Sequence, residues 1–188
     1  MCIRDRGKLP LNDMAGGAGR MDVLVRALMA SILTSHGIRK DVEFTMILHG
    51  GPGPARRIKF VSNEVKGIHA EERAVAGKIA AVIKEPIPPR GHWIERSPGI
   101  YDGGGDLDMT LDEWNCPTIR LDADSQNLYS GRLPSDFVID DIGFILGDDK
   151  TLECERGLPR SLGKEWLQGH TCIAIIHFLL DEGVKLEL

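Results

Sequence analysis

The distribution of apolar and polar positions along the chain predicts alternating helices and strands. The clearest helical pattern lies between residues 20 and 36, where apolar residues recur every three or four positions. The members of this stripe are Met21, Leu24, Val25, Leu28, Met29, Ile32 and Leu33. Gly37 follows the last turn, as is typical of a helix C-terminus. The pattern therefore predicts one amphipathic helix here.

Two adjacent strands are predicted after this helix. Residues 42–49 are rich in β-forming apolar side chains, and residues 57–61 alternate apolar and basic side chains. A turn rich in glycine and proline over residues 50–54 separates them. A second helix is predicted over residues 70–84, because the prolines that follow prevent its continuation.

The second half of the chain predicts further strands and helices after a connecting segment. Residues 85–106 are rich in proline and glycine, and we interpret them as an ordered crossing segment that marks a boundary, not as a core element. The elements predicted beyond it are a helix over 107–114, strands over 117–121 and 142–146, and a helix over 171–182. This alternation is typical of an α/β fold with a largely parallel sheet.

The last predicted helix is apolar on more than one side. Its apolar residues are Cys172, Ile173, Ile175, Ile176, Leu179 and Leu180. A helix with so wide an apolar surface is either deeply buried or paired with a second chain. We therefore expect a homodimer formed through this C-terminal helix.

Composition is typical of one globular domain. The chain has 188 residues, of which 42% are hydrophobic and 27% charged. No apolar stretch approaches the roughly 18 residues of a membrane span, so we expect a soluble protein without membrane contact. The four cysteines form no Cys-x-x-Cys pair, which favours a reducing, cytoplasmic setting. The spacing of His170, Cys172 and His177 is not that of a zinc site, so no metal is expected.

Charge divides the chain into a basic and an acidic half. The net charge of −5 argues against a nucleic-acid partner, but residues 1–90 carry 15 Lys and Arg against 9 Asp and Glu, whereas residues 91–188 carry 8 against 19. This asymmetry is compatible with a basic half that faces RNA, and solvated faces alone also produce it. The candidate RNA contacts are Arg20, Arg26, Arg56, Arg57 and Lys59. Arg56, Arg57 and Lys59 lie along one predicted strand. They either hold RNA phosphates or protect an edge strand from aggregation.

Arg20 and Asp22 open the first predicted helix, outside its apolar stripe. Asp22 suits the positive end of the helix dipole. Arg20 gains nothing at that end, and a cation in an unfavourable position beside a carboxylate indicates a functional role.

The ends of two predicted strands, at Leu121 and Gly147, precede acidic loops. Ligands of open α/β sheets bind at the carboxyl ends of strands, so these loops and residues 162–172 are expected to form one pocket. Acidic loops disfavour a polyphosphate and suit a neutral or cationic ligand, including an adenosyl group that carries a sulfonium. Cys172 is a candidate nucleophile, although a buried cysteine more often packs as a small hydrophobic residue.

Several segments together resemble the archaeal tRNA pseudouridine-54 N(1)-methyltransferase family, which belongs to the SPOUT class. They include GRMDVL (19–24), TSHGIRKDV (34–42), IKF (58–60), AEER (70–73), SPGIY (97–101), FILGD (144–148) and HTCIAIIH (170–177). The resemblance covers about residues 10–183. Residues 19–188 would form a single SPOUT-like methyltransferase domain. Residues 1–18 are an atypical segment where the family has its first strand.

The resemblance implies a C-terminal trefoil knot, a homodimer, S-adenosyl-L-methionine as cofactor, and methylation of N(1) of pseudouridine in the T-arm loop of tRNA. The implied cofactor-contacting positions are Leu121, Gly147, Leu162, Gly163, Lys164, Glu165, Trp166, Leu167 and Cys172. Arg20 and Asp22 match charged positions near the target base. There Asp22 is a hypothetical general base, and Arg20 would orient the uracil carbonyls or a phosphate.

Two other functions compete with this interpretation. One is an RNA-binding protein of the same fold without methyl-transfer activity, which would bind tRNA but no cofactor. The other is an unrelated hydrolase that uses Cys172, which a thiol alkylator would inactivate. S-adenosylhomocysteine would have no effect on such a hydrolase.

Overall fold

The computed structural model of the protein describes residues 9–50, 53–132, 141–147 and 153–188. The chain divides into two compact units, an N-terminal unit Met1–Glu113 and a C-terminal unit Trp114–Leu188. The boundary predicted within residues 85–106 was therefore placed too early in the chain. The predictions for the start of the segment 1–18 and for the acidic residues after Gly147 fall outside the described residues.

Within the described residues, the N-terminal unit combines three helices with a four-stranded sheet and a separate pair of short strands. Its elements in chain order are α1 (Met21–Ile32), β1 (Leu33–Thr34), β2 (Gly37–Ile38), β3 (Glu43–Leu48), β4 (Arg56–Val61), α2 (Glu72–Lys84), β5 (Trp93–Ser97), β6 (Ile100–Gly104) and α3 (Leu107–Glu113). Helix α1 ends earlier than predicted, because Leu33 and Thr34 pair with Ile38 and Gly37 in a small hairpin.

The main sheet of the N-terminal unit has the order β3-β4-β6-β5, and every neighbouring pair is antiparallel. The prediction of a largely parallel sheet is therefore wrong for this unit. Helices α1 and α2 pack in one core with the sheet. The buried residues that represent it are Met21, Val25, Leu28, Ile32, Met46, Ile58, Phe60, Val75, Ile79, Ile83 and Ile100.

Helix α2 is bounded by a side-chain cap at its start and by a proline after its end. The side chain of Glu71 accepts hydrogen bonds from the backbone N–H groups of Arg73 and Ala74, which caps the first turn. The helix ends at Lys84, with Glu85 already extended before Pro86.

The segment interpreted as a crossing connection instead forms the hairpin β5–β6, which completes the main sheet. Gly99 makes its tight turn, with φ of +70°. A Cβ atom there would lie 2.3 Å from the backbone nitrogen of Val65. Asp102 lies within β6 and is fully buried.

The C-terminal unit contains the parallel sheet. Its elements are β7 (Thr118–Leu121), β8 (Tyr129–Arg132), β9 (Gly143–Ile145), β10 (Leu158–Arg160), α4 (Gly169–Asp181) and β11 (Val184–Leu186). Strands β10, β7 and β9 form a parallel sheet in that order, and β11 pairs antiparallel with β8. The core cluster of this unit comprises Ile119, Leu128, Ile176, Leu179 and Leu186. The mixed α/β class is thus confirmed, with its parallel sheet in this unit.

The predicted final helix is confirmed as α4, which starts two residues earlier than expected. Ile173, Ile176 and Leu179 of this helix are buried, whereas Phe178 is 61% exposed. Within the described residues, no helix is long and apolar enough to cross a membrane.

Candidate functional site

Three chain segments meet at one edge of the parallel sheet in the C-terminal unit. Strands β10, β7 and β9 lie side by side and run in the same direction, so their carboxyl ends share this edge. Leu121 is the last residue of β7 and pairs in register with Arg160, the last residue of β10. Gly147 follows β9, and Leu162 follows β10. Three of the predicted cofactor segments are therefore neighbours.

The first turn of α4 adds the fourth predicted segment. A Cβ atom on Gly169 would lie 3.6 Å from the carbonyl oxygen of Gly147, so the helix begins in close contact with the loop after β9. Cys172 follows one turn later and is 9% exposed. Its thiol donates to the carbonyl oxygen of Leu167 at 3.8 Å. Gly147 and Cys172 thus belong to one cluster. We call these four segments, residues 121–122, 146–147, 161–167 and 169–172, the sheet-edge cluster.

The loop after β10 is the open part of the sheet-edge cluster. Its base is fixed by Ser161, which is buried and whose hydroxyl accepts a hydrogen bond from the N–H of Gly163 at 2.9 Å. A Cβ atom on Gly163 would meet nothing within 4 Å. The exposed side chains that follow are Lys164, Glu165, Trp166 and Leu167, and Trp166 is 69% exposed. Backbone groups beside apolar side chains and open space are suited to an adenosyl ligand.

His170 contributes a buried polar atom to the sheet-edge cluster. Its Nδ1 is buried, and none of the described residues hydrogen-bonds to it. Buried polar atoms in proteins are nearly always hydrogen-bonded, so an unpartnered one calls for an explanation. Sequence reasoning considered His170 only as a weak zinc ligand. The burial of one ring nitrogen leaves no signal in a sequence, and the residue was missed as a candidate for cofactor binding.

The thiol of Cys172 is not prepared for nucleophilic chemistry. Burial raises the pKa of this thiol above its ordinary value, so it stays protonated near neutral pH. Attack on an acyl group requires the thiolate. The structure therefore disfavours the hydrolase alternative and leaves Cys172 as a small apolar wall of the cluster.

A second cluster of charged residues lies at the start of α1 in the N-terminal unit. Asp22 accepts a two-point hydrogen bond from Arg20, with Nε to Oδ1 at 3.0 Å and Nη2 to Oδ2 at 3.2 Å. Arg26, one turn further along the helix, donates to Oδ2 at 2.5 Å. The side chains of Arg20 and Arg26 are 41% and 36% exposed, whereas that of Asp22 is 16% exposed. We call these three residues the arginine clamp.

Arg20 holds its place in the arginine clamp in an uncommon backbone conformation. Its φ is +69°, in the left-handed region that a non-glycine residue enters only at a cost of about 1–3 kcal/mol. Such conformations persist where the surroundings enforce them, and they concentrate at functional sites. The sequence signal at Arg20, a cation at the wrong end of a helix dipole, therefore coincides with a structural one.

The carboxyl group of Asp22 is ionised throughout the neutral range. Burial alone would raise its pKa, but the hydrogen bond from Arg20 and the positive charges of Arg20 and Arg26 outweigh burial and hold the pKa below its usual range. The arginine clamp therefore carries two positive charges and one negative charge. A net positive charge with partly exposed guanidinium groups suits a phosphate or a carbonyl oxygen.

Arg56 does not lie on a surface that RNA can reach. It is 6% exposed and donates to both carboxylate oxygens of the buried Asp102, each at 2.8 Å. It also donates to the carbonyl oxygens of Ile83 and Glu85 at the end of α2. Arg96 donates to the same carboxylate. The expectation that Arg56 binds RNA phosphates is corrected, because the side chain is buried and all three of its guanidinium nitrogens donate to internal acceptors on β6 and at the end of α2.

Arg57 is likewise buried, with no exposed surface. It donates to Glu113 at 2.9 Å and lies 4.3 Å from the ring centre of Trp93. The expectation that it holds RNA is corrected, because its side chain has no surface that RNA could reach. Lys59 retains partial exposure of 26%, and its ammonium group lies 5.1 Å and 5.4 Å from the ring centres of Trp93 and Tyr101. Of the predicted basic strand residues, only Lys59 stays a candidate RNA contact.

Comparison with known proteins shows that this chain is similar to RNA-modifying enzymes. A sequence model of a family described as "Putative SAM-dependent RNA methyltransferase" matches residues 4–184. The chain is 33% identical to the tRNA (pseudouridine(54)-N(1))-methyltransferase of Methanocella arvoryzae, over 93% of this chain and 91% of that protein. Proteins of the same name from Methanosarcina mazei and Methanocaldococcus jannaschii are 32% and 30% identical. These matches cover 93% and 92% of this chain and 84% and 88% of those proteins.

Proposed function

The chain belongs to this family of S-adenosylmethionine-dependent RNA methyltransferases, and from that premise we propose that it methylates N(1) of pseudouridine in the T-arm loop of tRNA. The observation that carries the proposal is the sheet-edge cluster. It groups the loops after three parallel strands with the first turn of α4. These segments contain the positions that the resemblance implies as cofactor contacts.

The residues of the sheet-edge cluster fit an adenosyl cofactor. When bound, S-adenosylmethionine supplies a methyl group on a positively charged sulfur. Leu121, Leu162 and Leu167 offer apolar contacts, and an added Cβ atom at Gly163 would meet nothing within 4 Å, which leaves room for a base beside them. The buried Cys172 forms an apolar wall behind them.

The arginine clamp is proposed to meet the RNA. Arg20 and Arg26 present partly exposed guanidinium groups that can hold a phosphate or the carbonyl oxygens of the target base. Lys59 adds a further partly exposed cation of the same unit. Because a methyl transfer needs the acceptor nitrogen aligned with the donor, holding the base in place supplies most of the rate in this account.

Asp22 is proposed as the group that receives the N(1) proton. Its lowered pKa keeps it ionised and so able to take up a proton, although the same shift makes it a weaker base and arginines engage both of its oxygens. We predict that Asp22→Asn lowers the rate of transfer to tRNA by at least about 100-fold, the contribution of a positioned general base. The affinity for S-adenosylhomocysteine should not change. A rate within a few-fold of the unmodified protein would remove Asp22 from this role.

The homodimer and the trefoil knot also belong to the proposal. Among the described residues, the large hydrophobic side chains with the greatest exposure are Trp166, Phe178 and Leu188, all in the C-terminal unit. Phe178 lies on α4, the helix predicted to pair with a second chain, and burial of its ring would remove an exposed apolar surface from water. Because the proposed substrate is tRNA, we also propose that the protein acts in the cytoplasm.

Two measurements on the unmodified protein test the proposed function. Calorimetric titration with S-adenosylhomocysteine should give a saturable one-site isotherm. Labelled methyl groups from S-adenosylmethionine should then appear in tRNA that contains pseudouridine in the T-arm. Binding of tRNA without cofactor binding or transfer would favour the RNA-binding protein over the enzyme.

A further inference from the structure

The sheet-edge cluster contains one polar group that no described residue satisfies. His170 is the second residue of α4, and its Nδ1 is buried without a hydrogen-bond partner among the described residues. A buried ring nitrogen that is deprived of water and of a protein partner destabilises the protein unless something else supplies the bond. The orphaned atom is therefore an indication of a missing ligand group.

The position of His170 along the chain indicates which ligand supplies the missing group. The residue lies between Leu167 and Cys172, whose carbonyl oxygen and thiol contact each other. Its chain neighbour Gly169 packs against the carbonyl oxygen of Gly147. Leu167, Cys172 and Gly147 are all proposed cofactor contacts, so His170 lies along the chain among the residues that would surround the cofactor.

We propose that His170 is a cofactor-binding residue, whose Nδ1 forms a hydrogen bond with a polar group of the bound adenosyl donor. This inference rests on the proposed function, since it requires the sheet-edge cluster to be the cofactor site. The imidazole nitrogen can donate or accept, because a neutral histidine adopts either tautomer. The bond would exist only in the loaded protein, and the free protein would carry the unsatisfied atom.

Substitution of an unsatisfied buried residue should affect stability and cofactor affinity in opposite directions. This difference distinguishes a role in binding from a role in structure. Replacement of His170 by leucine removes the unsatisfied nitrogen, so the melting temperature of the cofactor-free protein should stay unchanged or rise. The same change removes the bond to the cofactor, so the Kd for S-adenosylhomocysteine should rise about tenfold, which corresponds to about 1.4 kcal/mol. A residue with a purely structural role would lower the melting temperature.

Two amide variants of His170 distinguish a hydrogen bond made by Nδ1 from one made by Nε2. The amide of asparagine is as many bonds from Cβ as Nδ1, whereas the amide of glutamine is as many bonds from Cβ as Nε2. His170→Asn should therefore keep the Kd within about threefold of the unmodified protein, and His170→Gln should raise it about as much as His170→Leu. His36→Asn, at an exposed position of the N-terminal unit, is the control and should change neither quantity.

The test is calorimetric titration of the four variants with S-adenosylhomocysteine, together with their cofactor-free melting curves and their affinity for tRNA. An unchanged Kd in His170→Leu and His170→Gln would overturn the proposal, as would a loss confined to tRNA affinity. A drop in melting temperature that parallels the loss of affinity would assign a structural role instead. Failure of the unmodified protein to bind S-adenosylhomocysteine would refute the proposed function itself, which is a distinct result.

Discussion

At the scale of single residues, the same side chain serves different purposes according to its surroundings. Arg56 and Arg57 are buried and bound to internal acceptors, whereas Arg20 and Arg26 hold their guanidinium groups partly in solvent around Asp22. The sequence around two adjacent basic residues is the same whether their side chains face RNA or pair with a carboxylate elsewhere in the fold. The partners that decide, Asp102 and Glu113, are 46 and 56 positions away along the chain.

The buried pair of Arg56 and Asp102 predicts a large stability effect. Asp102→Asn would leave the buried guanidinium group of Arg56 without its negative partner, in a place where Asp102 has no exposed surface. The expected loss is about 3–5 kcal/mol of unfolding free energy. Asp106→Asn is the control, since its partner Arg90 is 65% exposed, and it should cost less than about 1 kcal/mol. Urea denaturation measures both, and equal losses would contradict the account.

At the scale of elements, amphipathic helices were predictable and the hairpin β5–β6 was not. Helices α1, α2 and α4 follow the apolar stripes of the sequence. The hairpin follows a proline-rich stretch, and its strand pairing shifts register between Glu95 and Ser97. Its buried members include Asp102, Gly103 and Gly104. A strand whose buried side is charged or lacks side chains gives no apolar alternation, so periodicity has nothing to detect.

Gly99 gives a direct test of the hairpin. We predict that Gly99→Ala destabilises the protein by at least about 3 kcal/mol, because the φ of +70° and the contact with the backbone of Val65 both oppose a Cβ atom. Gly77→Ala is the control, as Gly77 lies inside α2 with nothing within 4 Å of an added Cβ. That change should stabilise by about 0.5–1 kcal/mol. Thermal unfolding distinguishes the two, and tolerance of alanine at Gly99 would refute the turn geometry.

At the scale of the whole molecule, the family resemblance predicted more of the function than the physical patterns of the sequence did. The resemblance noted in the sequence is confirmed by the family match over residues 4–184. Strand ends at Leu121 and Gly147 were predicted to form a ligand site, and the parallel order of β10, β7 and β9 brings them to one edge. Strands β8, β10 and β11 were missed, since three or four residues are too few to show alternation.

The exposed ring of Phe178 predicts how the chain assembles. If α4 pairs with a second copy, Phe178→Glu places a charge in the interface and should convert the dimer to a monomer at micromolar concentration. Sedimentation equilibrium measures this change. Ile94→Glu, at an exposed position of the N-terminal unit, should leave the mass unchanged. A monomeric unmodified protein would contradict the proposed dimer.

The central claim is that this chain transfers a methyl group to N(1) of pseudouridine, and a matched pair of RNAs tests it most directly. Two T-arm hairpins that differ only in pseudouridine or uridine at the target position are incubated with the protein and S-adenosylmethionine, and their nucleosides are analysed by mass spectrometry. Uridine has its N(1) bonded to ribose and offers no acceptor. We predict one added methyl group on pseudouridine and none on uridine. Equal methylation of both hairpins, or of neither, would contradict the account.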